Sequence, residues 1–128
     1  MRRLLWDSHT FLWWLKNDPR LGPKARDVIG DERNTVFVSA ASGWEIAIQK
    51  TLGKLEAPDS LDAIVEEEGF SHLPITFFHG EQAGTLPLHH RDPFDRMLIA
   101  QAQAEGLVIV TDDLQIPQYG VRVMKACE

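Results

Sequence analysis

The sequence predicts an α/β fold in which helices cover both faces of a mostly parallel β-sheet. Short apolar runs rich in β-branched residues are typical of buried strands. Five such runs occur, at residues 4–6, 36–39, 73–75, 108–111 and 121–123. Longer amphipathic stretches separate them, and this alternation favours parallel strands that are buried on both sides.

Six predicted helices lie between these strands, over residues 9–15, 23–29, 43–52, 60–68, 79–85 and 94–105. Pro23 suits the first turn of the second helix, and Gly30 suits its end. Ser42 and Glu45 match the S-x-x-E capping box that begins a helix. Trp44, next to Glu45 in a run of apolar residues, predicts that this turn packs against the core.

Length and composition predict a single globular domain spanning residues 1–128. A hydrophobic content of 44% excludes a disordered or fibrous chain. The N-terminus briefly resembles a signal peptide, but Asp7 interrupts the apolar run, and no stretch reaches the roughly 20 apolar residues of a membrane span. The single cysteine, Cys127, has no partner for an internal disulfide. We therefore expect a cytoplasmic protein with no membrane contact.

Acidic residues follow the predicted strands at the edge where parallel sheets bind ligands. Asp7 follows the first strand, and Asp112 and Asp113 follow the fourth. Taken singly, each has an ordinary structural interpretation. Asp7 can be a helix N-cap, and the two later acids can form a solvated turn.

Two further acids lie in the predicted helices. Glu45 has its capping-box role, and Asp95, one turn after the natural cap Asp92, is favoured there by the helix dipole. Carboxylates gathered in one cleft raise each other's pKa unless a cation neutralises them. Their oxygen atoms suit Mg²⁺ or Mn²⁺, which lower the pKa of a bound water and polarise a phosphoryl oxygen.

Four sequence blocks carry these acids in order: LLWDSH at 4–9, SAASGWEIA at 39–47, HRDPFDRMLIA at 90–100 and VTDD at 110–113. Together they resemble the PIN domain family and, more narrowly, the VapC-like ribonuclease toxins of type II toxin–antitoxin pairs. The resemblance covers essentially the whole chain. It implies a three-layer α/β/α sandwich and a Mg²⁺- or Mn²⁺-dependent endoribonuclease, a hydrolase that leaves 5′-phosphate and 3′-hydroxyl ends.

The resemblance also assigns roles to individual residues. The family's catalytic and metal-binding acids match four positions: Asp7, Glu45, Asp95 and Asp113. The family pattern Thr-x-Asp selects Asp113 over Asp112, and it places the Thr111 hydroxyl beside a ligand acid or a metal-bound water. Ser8, Ser39 and Asp112 are expected to support the acids by hydrogen bonds.

The family implies three partners: an RNA substrate, a cognate antitoxin and a second copy of the toxin. Arg96 and Lys50 flank the proposed acids and are candidates for contacts with RNA phosphates. Phe11, Trp13 and Trp14 exceed what one face of a short helix buries. They form either an apolar groove for the antitoxin or a partly buried cluster.

Several other interpretations compete with this one. His89 and His90 beside Asp92 suggest a zinc site, but without a cysteine partner or H-E-x-x-H a solvated loop is favoured. No G-x-S-x-G motif supports a serine nucleophile. A nuclease of RNA maturation or of DNA without an antitoxin, and an inactive PIN scaffold that binds RNA or protein, remain open. A receiver domain expects two acids after the first strand, where this chain has only Asp7.

The net charge of −6 argues against a basic module that coats nucleic acid. Of the 19 acidic residues, four belong to the proposed site, which leaves 15 against 13 basic residues. Most of the acidic excess is thus assigned to residues that would hold divalent cations. We expect substrate affinity, as well as catalysis, to fall when the metal is withdrawn.

Overall fold

The centre of the molecule is a five-stranded parallel sheet in the computed structural model, which describes residues 1–128. The strands are β1 (Arg3–Trp6), β2 (Thr35–Ser39), β3 (Ser71–Leu73), β4 (Val108–Val110) and β5 (Val123–Met124). Their order is β3-β2-β1-β4-β5, and all neighbouring pairs are parallel. In the central strand, Leu5 pairs with Phe37 on one side and Ile109 on the other.

Helices lie on both faces of this sheet. They are α1 (Ser8–Leu15), α2 (Pro23–Gly30), α3 (Ala40–Thr51), α4 (Leu61–Glu67), α5 (Phe77–Thr85) and α6 (Pro93–Glu105), with a 3₁₀ turn at Ile116–Tyr119. None of them combines the length and the apolar character that a membrane crossing requires.

Alternate residues of β1 belong to two separate apolar clusters, because successive side chains of a strand point to opposite faces. Leu4 and Trp6 pack in the cluster that contains Phe11 of α1. Leu5 packs in the other cluster, with Leu98 of α6. Each face of the sheet therefore has its own core, and the predicted three-layer α/β/α architecture is confirmed.

Several predicted boundaries are wrong. The third strand covers 71–73 instead of 73–75, since Pro74 has no N–H for a further ladder bond and Ile75 is exposed. The last strand covers 123–124 instead of 121–123. The first strand passes directly into α1, and β2 passes directly into α3, so both helices begin earlier than predicted.

The capping box predicted for α3 is also wrong. Ser39, the last residue of β2, is the N-cap, and its hydroxyl accepts a hydrogen bond from the Ala41 amide. Ser42 lies inside the helix and is fully buried. Trp44, predicted to pack against the core, is 63% exposed. Glu45 is thus left without a capping role.

Candidate active site

Asp7 and Thr111 join the ends of the two central strands. β1 and β4 are parallel neighbours, so the residues that follow them meet at one edge of the sheet. The Thr111 hydroxyl donates to Asp7 Oδ2 at 2.5 Å and accepts from the Asp113 amide at 3.0 Å. Asp7 Oδ1 caps α1 through Thr10. One buried carboxylate therefore fills both roles considered for it, helix cap and member of the acidic site.

His90 links Asp95 of α6 to Asp113 after β4. Its Nε2 lies 2.8 Å from Asp113 Oδ2 and 3.0 Å from Asp95 Oδ2. Its Nδ1 accepts a hydrogen bond from the Asp92 amide at 3.2 Å, which leaves the Nε2–H to face the two carboxylates. The imidazole thus holds two acids from distant parts of the chain in one place.

The position of His90 corrects the prediction of a solvated loop. His89 is exposed and packs against the Tyr119 ring, but the His90 side chain is largely buried among acids. The Tyr119 hydroxyl accepts from both His amides, at 3.0 and 2.7 Å. In the sequence, the one feature that distinguishes His90 is its position two residues before Asp92, the N-cap of α6.

The pKa of Asp95 is raised to about 7. Burial is the largest cause, and the charge of Asp92 raises the pKa further. His90 lowers it, whereas Asp7 and Glu45 raise it again. This is the electrostatic signature of carboxylates that share a site without a compensating cation.

Glu45, half-buried on α3, completes the set of acids. Burial is the largest cause that raises its pKa, and the charges of Asp92 and Asp7 act in the same direction. A hydrogen bond from the Ser8 hydroxyl opposes the rise. The buried Ser42 hydroxyl lies 3.0 Å from the Ser8 hydroxyl and donates to it when Ser8 donates to Glu45, which fixes Ser8 between α1 and α3.

Two of the predicted supporting residues point elsewhere. Ser39 bonds to Gln101 Oε1 at 2.6 Å and caps α3, so it supports the helix and contacts none of the four acids. Asp112 Oδ1 accepts from the Cys127 amide at 3.1 Å. The choice left open between the two adjacent acids has a geometric answer, because Asp113 faces the site and Asp112 faces the C-terminal segment.

The two basic residues predicted to contact RNA are engaged within the protein. The Arg96 guanidinium donates to four backbone carbonyls, of Ala83, Leu86, Pro87 and His90, at 2.8–3.2 Å. It therefore ties the segment that carries His90 to α6. Lys50 forms an ion pair with Asp59. Their contacts with RNA stay predictions.

A groove of about 490 Å³ beside the acids contains other basic residues. Glu45, Asp92 and Ser8 belong to its lining, and so do Lys16, Arg20, Lys54 and His9. None of these three lysine and arginine side chains forms an ion pair with a site acid. The sequence analysis missed the groove because α1 and the residues after α3 meet only in the folded chain.

The aromatic residues of α1 divide between core and groove. Phe11 is 1% exposed, and Trp14 packs 6.2 Å from Trp6 and 5.9 Å from Phe70 between ring centroids. These two belong to the core cluster, which agrees with the partly buried alternative. Trp13 lines the groove, with the Arg20 guanidinium 4.9 Å from its ring centroid.

The donor set fits a divalent metal ion. Four carboxylates converge, and none of them is paired with lysine or arginine. His90 Nε2 and oxygens of Asp95 and Asp113 lie within 4.8 Å of one another. Carboxylate oxygens are the ligands that hard divalent ions prefer.

Comparisons with known proteins agree with this geometry. Ribonuclease VapC16 of Mycobacterium tuberculosis is 39% identical over 69 aligned residues, covering 48% of this chain and 49% of that protein. The match therefore spans about half the length of this curated relative.

Solved structures share the fold over nearly the full length. A DNA-bound VapBC structure from Salmonella typhimurium matches with a TM-score of 0.70 and 21% identity, covering 99% of this chain and 100% of that one. VapBC2 from Rickettsia felis, bound to a DNA fragment from its promoter, matches with a TM-score of 0.67 and 14% identity, covering 95% and 97%. The sequence model of the PIN domain matches residues 4–121. The chain belongs to the PIN domain family.

Proposed function

We propose that the protein is a metal-dependent endoribonuclease that acts as the VapC-type toxin of a toxin–antitoxin pair. The observation that carries this proposal is the convergence of Asp7, Glu45, Asp95 and Asp113 with no lysine or arginine partner. The family membership and the ribonuclease relative support the same chemistry.

Asp7, Asp95 and Asp113, together with Glu45, would hold Mg²⁺ or Mn²⁺. When bound, such an ion supplies an activated water and polarises a phosphoryl oxygen. The chain itself orients the ligands. Thr111 fixes Asp7 and the Asp113 backbone, and His90 holds the carboxyl groups of Asp95 and Asp113 together. Because a water attacks, no 2′-hydroxyl is needed, and the products carry 5′-phosphate and 3′-hydroxyl ends.

The groove beside the acids supports RNA as the substrate. Lys16 and Lys54 line it without an ion-pair partner, and Arg20 lies at the same groove over Trp13. These side chains offer cationic contacts to backbone phosphates on one side of Glu45. Phosphates approaching the acids would be attracted by the groove and, once a metal is bound, no longer repelled by the carboxylates.

An antitoxin and a second toxin copy are the proposed protein partners. VapBC complexes among the structural neighbours, and the VapC16 relative, support the antitoxin. Finding a gene for a small protein immediately upstream would favour the toxin over a nuclease of RNA maturation. The unpaired acids argue against an inactive scaffold, which has no use for them. We place the activity in the cytoplasm, where RNA is available and Cys127 stays reduced.

The test is RNA cleavage by the purified protein. Labelled tRNAs and ribosomal RNA fragments are incubated with Mg²⁺, Mn²⁺ or EDTA, and the ends of the products are identified. We expect cutting that requires metal and Asp7 and that yields 5′-phosphate ends. Cleavage that persists in EDTA, or no cleavage of any RNA in the panel, would contradict the proposal.

A further inference from the structure

An exposed aromatic pair lies directly beside two of the acids. Trp44 of α3 is 63% exposed and precedes Glu45 in the chain. Phe94 of α6 is partly buried and precedes Asp95. The two rings contact each other edge to face, with centroids 5.2 Å apart and planes at 73°.

Core packing does not account for Trp44. It belongs to neither apolar cluster, whereas Trp6 lies in the core and Trp13 and Trp14 pack against it. Its neighbours Glu45 and Ile46 line the basic groove, but Trp44 does not. The aromatic pair is thus a surface separate from the groove. A large aromatic side chain left in water beside a reactive site indicates a binding surface.

The surrounding charges select the occupant. Lys16 and Lys54 line the groove without an ion-pair partner and attract a polyanion such as RNA. A nucleotide whose phosphate reaches Glu45 and Asp95 carries its base within reach of the side chains that immediately precede them. Aromatic rings bind unpaired bases by stacking, whatever the base, because every base has a π-face.

We propose that Trp44 and Phe94 form a stacking platform for an unpaired nucleobase next to the phosphodiester that is cleaved. This inference rests on the proposed ribonuclease function and adds to it the two residues that would hold one unpaired base. A base within a duplex is already stacked on its neighbours and is not available to the platform.

The test measures RNA binding in a chain that does not cleave. In the Asp7→Asn background, Mn²⁺ is present and the probe is a fluorescein-labelled, unstructured RNA of about 16 nucleotides. We expect Trp44→Leu to weaken binding by roughly five- to 100-fold, the range that loss of one base stack produces. Trp44→Phe should stay close to the parent. Phe77→Leu, at an exposed ring on α5 away from the acids, is the matched control and should bind like the parent.

A second series separates stacking from a structural effect. Single abasic nucleotides are placed at successive positions of the same RNA. At one position, removal of the base should weaken binding to the parent protein. The same removal should not weaken binding to Trp44→Leu any further, because both changes remove the same stacking interaction. Equal binding by Trp44→Leu and the parent would overturn the proposal. So would unchanged RNA binding combined with loss of self-association or of antitoxin binding, since the pair would then be a protein interface.

The ribonuclease proposal and the platform fail in different ways. If the unmodified protein cuts no RNA with Mn²⁺, the function is wrong whatever the binding series shows. If it cuts RNA and Trp44→Leu binds and cuts like the parent, only the platform is wrong.

Discussion

Acids in two regions of this molecule have opposite electrostatic environments. Asp18 and Asp31, in loops, each pair with an arginine two residues later, and hydrogen bonds from Arg20 and Arg33 lower both pKa values to about 2. Asp95, at the carboxyl edge of the sheet, has its pKa raised to about 7. Each loop acid has an arginine partner, whereas the site acids have no lysine or arginine and only the His90 imidazole beside two of them.

The difference shows what each region is built for. The loop pairs are local, and a short stretch of chain satisfies them. The site acids come from residues as far apart as Asp7 and Asp113, and the tertiary fold brings them together with no local compensation. Such an arrangement is costly for the fold alone and useful only if a cation arrives from outside.

The strongest test of this difference exchanges acids for amides in both regions. Asp7→Asn and Asp95→Asn should each slow RNA cleavage by more than about 100-fold, beyond the loss typical of residues that only support metal ligands. Asn keeps the shape of the side chain and can still cap α1. The matched controls Asp18→Asn and Asp31→Asn should cleave at the parent rate. Parent-like cleavage by either site variant would show that its carboxylate is dispensable.

Residues that hold the site acids should matter less than the acids. His90→Ala and Thr111→Val should each reduce cleavage by about 10- to 100-fold, since the carboxylates lose their orientation but remain present. Asp112→Asn, directly beside Asp113, serves as control and should cleave normally, because Asp112 bonds to the C-terminal segment. An Asp112→Asn variant as impaired as His90→Ala would mean that both adjacent acids serve the site.

Without metal, the raised pKa of Asp95 makes stability depend on pH. At low pH the carboxyl is protonated in the folded and unfolded chains alike. As pH rises from about 4 to about 7, the unfolded chain loses this proton while folded Asp95 keeps it, so stability falls across that window and levels off above about 7. Thermal melts of the metal-free protein should show this loss, and Asp95→Asn should flatten it.

Bound metal should restore the stability that the metal-free protein loses when pH rises. Saturating Mn²⁺ should raise the melting temperature by roughly 2–8 °C at about pH 8, and by less at about pH 5, where protons compete for the ligands. Asp18→Asn should respond to Mn²⁺ like the parent. An equal rise at both pH values, or an undiminished one in Asp95→Asn, would argue against metal binding at these acids.

The smallest effect is expected for the groove. Lys16→Ala combined with Lys54→Ala should weaken RNA binding a few-fold and reduce the slope of log affinity against log salt by about 0.7 for each phosphate that no longer meets a lysine. Arg33→Ala, whose arginine is already paired with Asp31, should leave the slope unchanged. If the double variant has the same salt dependence of RNA affinity as the parent, the RNA backbone does not bind at these two lysines.

The parts of the site that follow local rules could be predicted from the sequence. Alternating strands and helices predict the layers, and acids after parallel strands predict the edge where they meet. Asp92 caps α6 and Gly106, with φ of 67°, ends it, as expected. The family pattern selected Asp113, and the geometry agrees with that choice.

The remaining parts depend on interactions between distant segments. His90 owes its place to Tyr119 and to the hydrogen bonds of Arg96, which no local pattern encodes. The cap of α3 was misplaced because β2 runs into the helix without a loop, so that Ser39 reaches the helix amides before Ser42 does. The exposure of single side chains could not be predicted either, since the sequence does not show that Trp44 faces water.

The position of β1 between β2 and β4 has a consequence during synthesis. Asp7 emerges from the ribosome 104 residues before Thr111, which completes its surroundings together with Asp113. At translation rates of roughly 5–20 residues per second, a growing chain carries an incomplete site for several seconds. Under the proposed function, the site that would cut RNA is therefore incomplete while the chain is still attached to the ribosome.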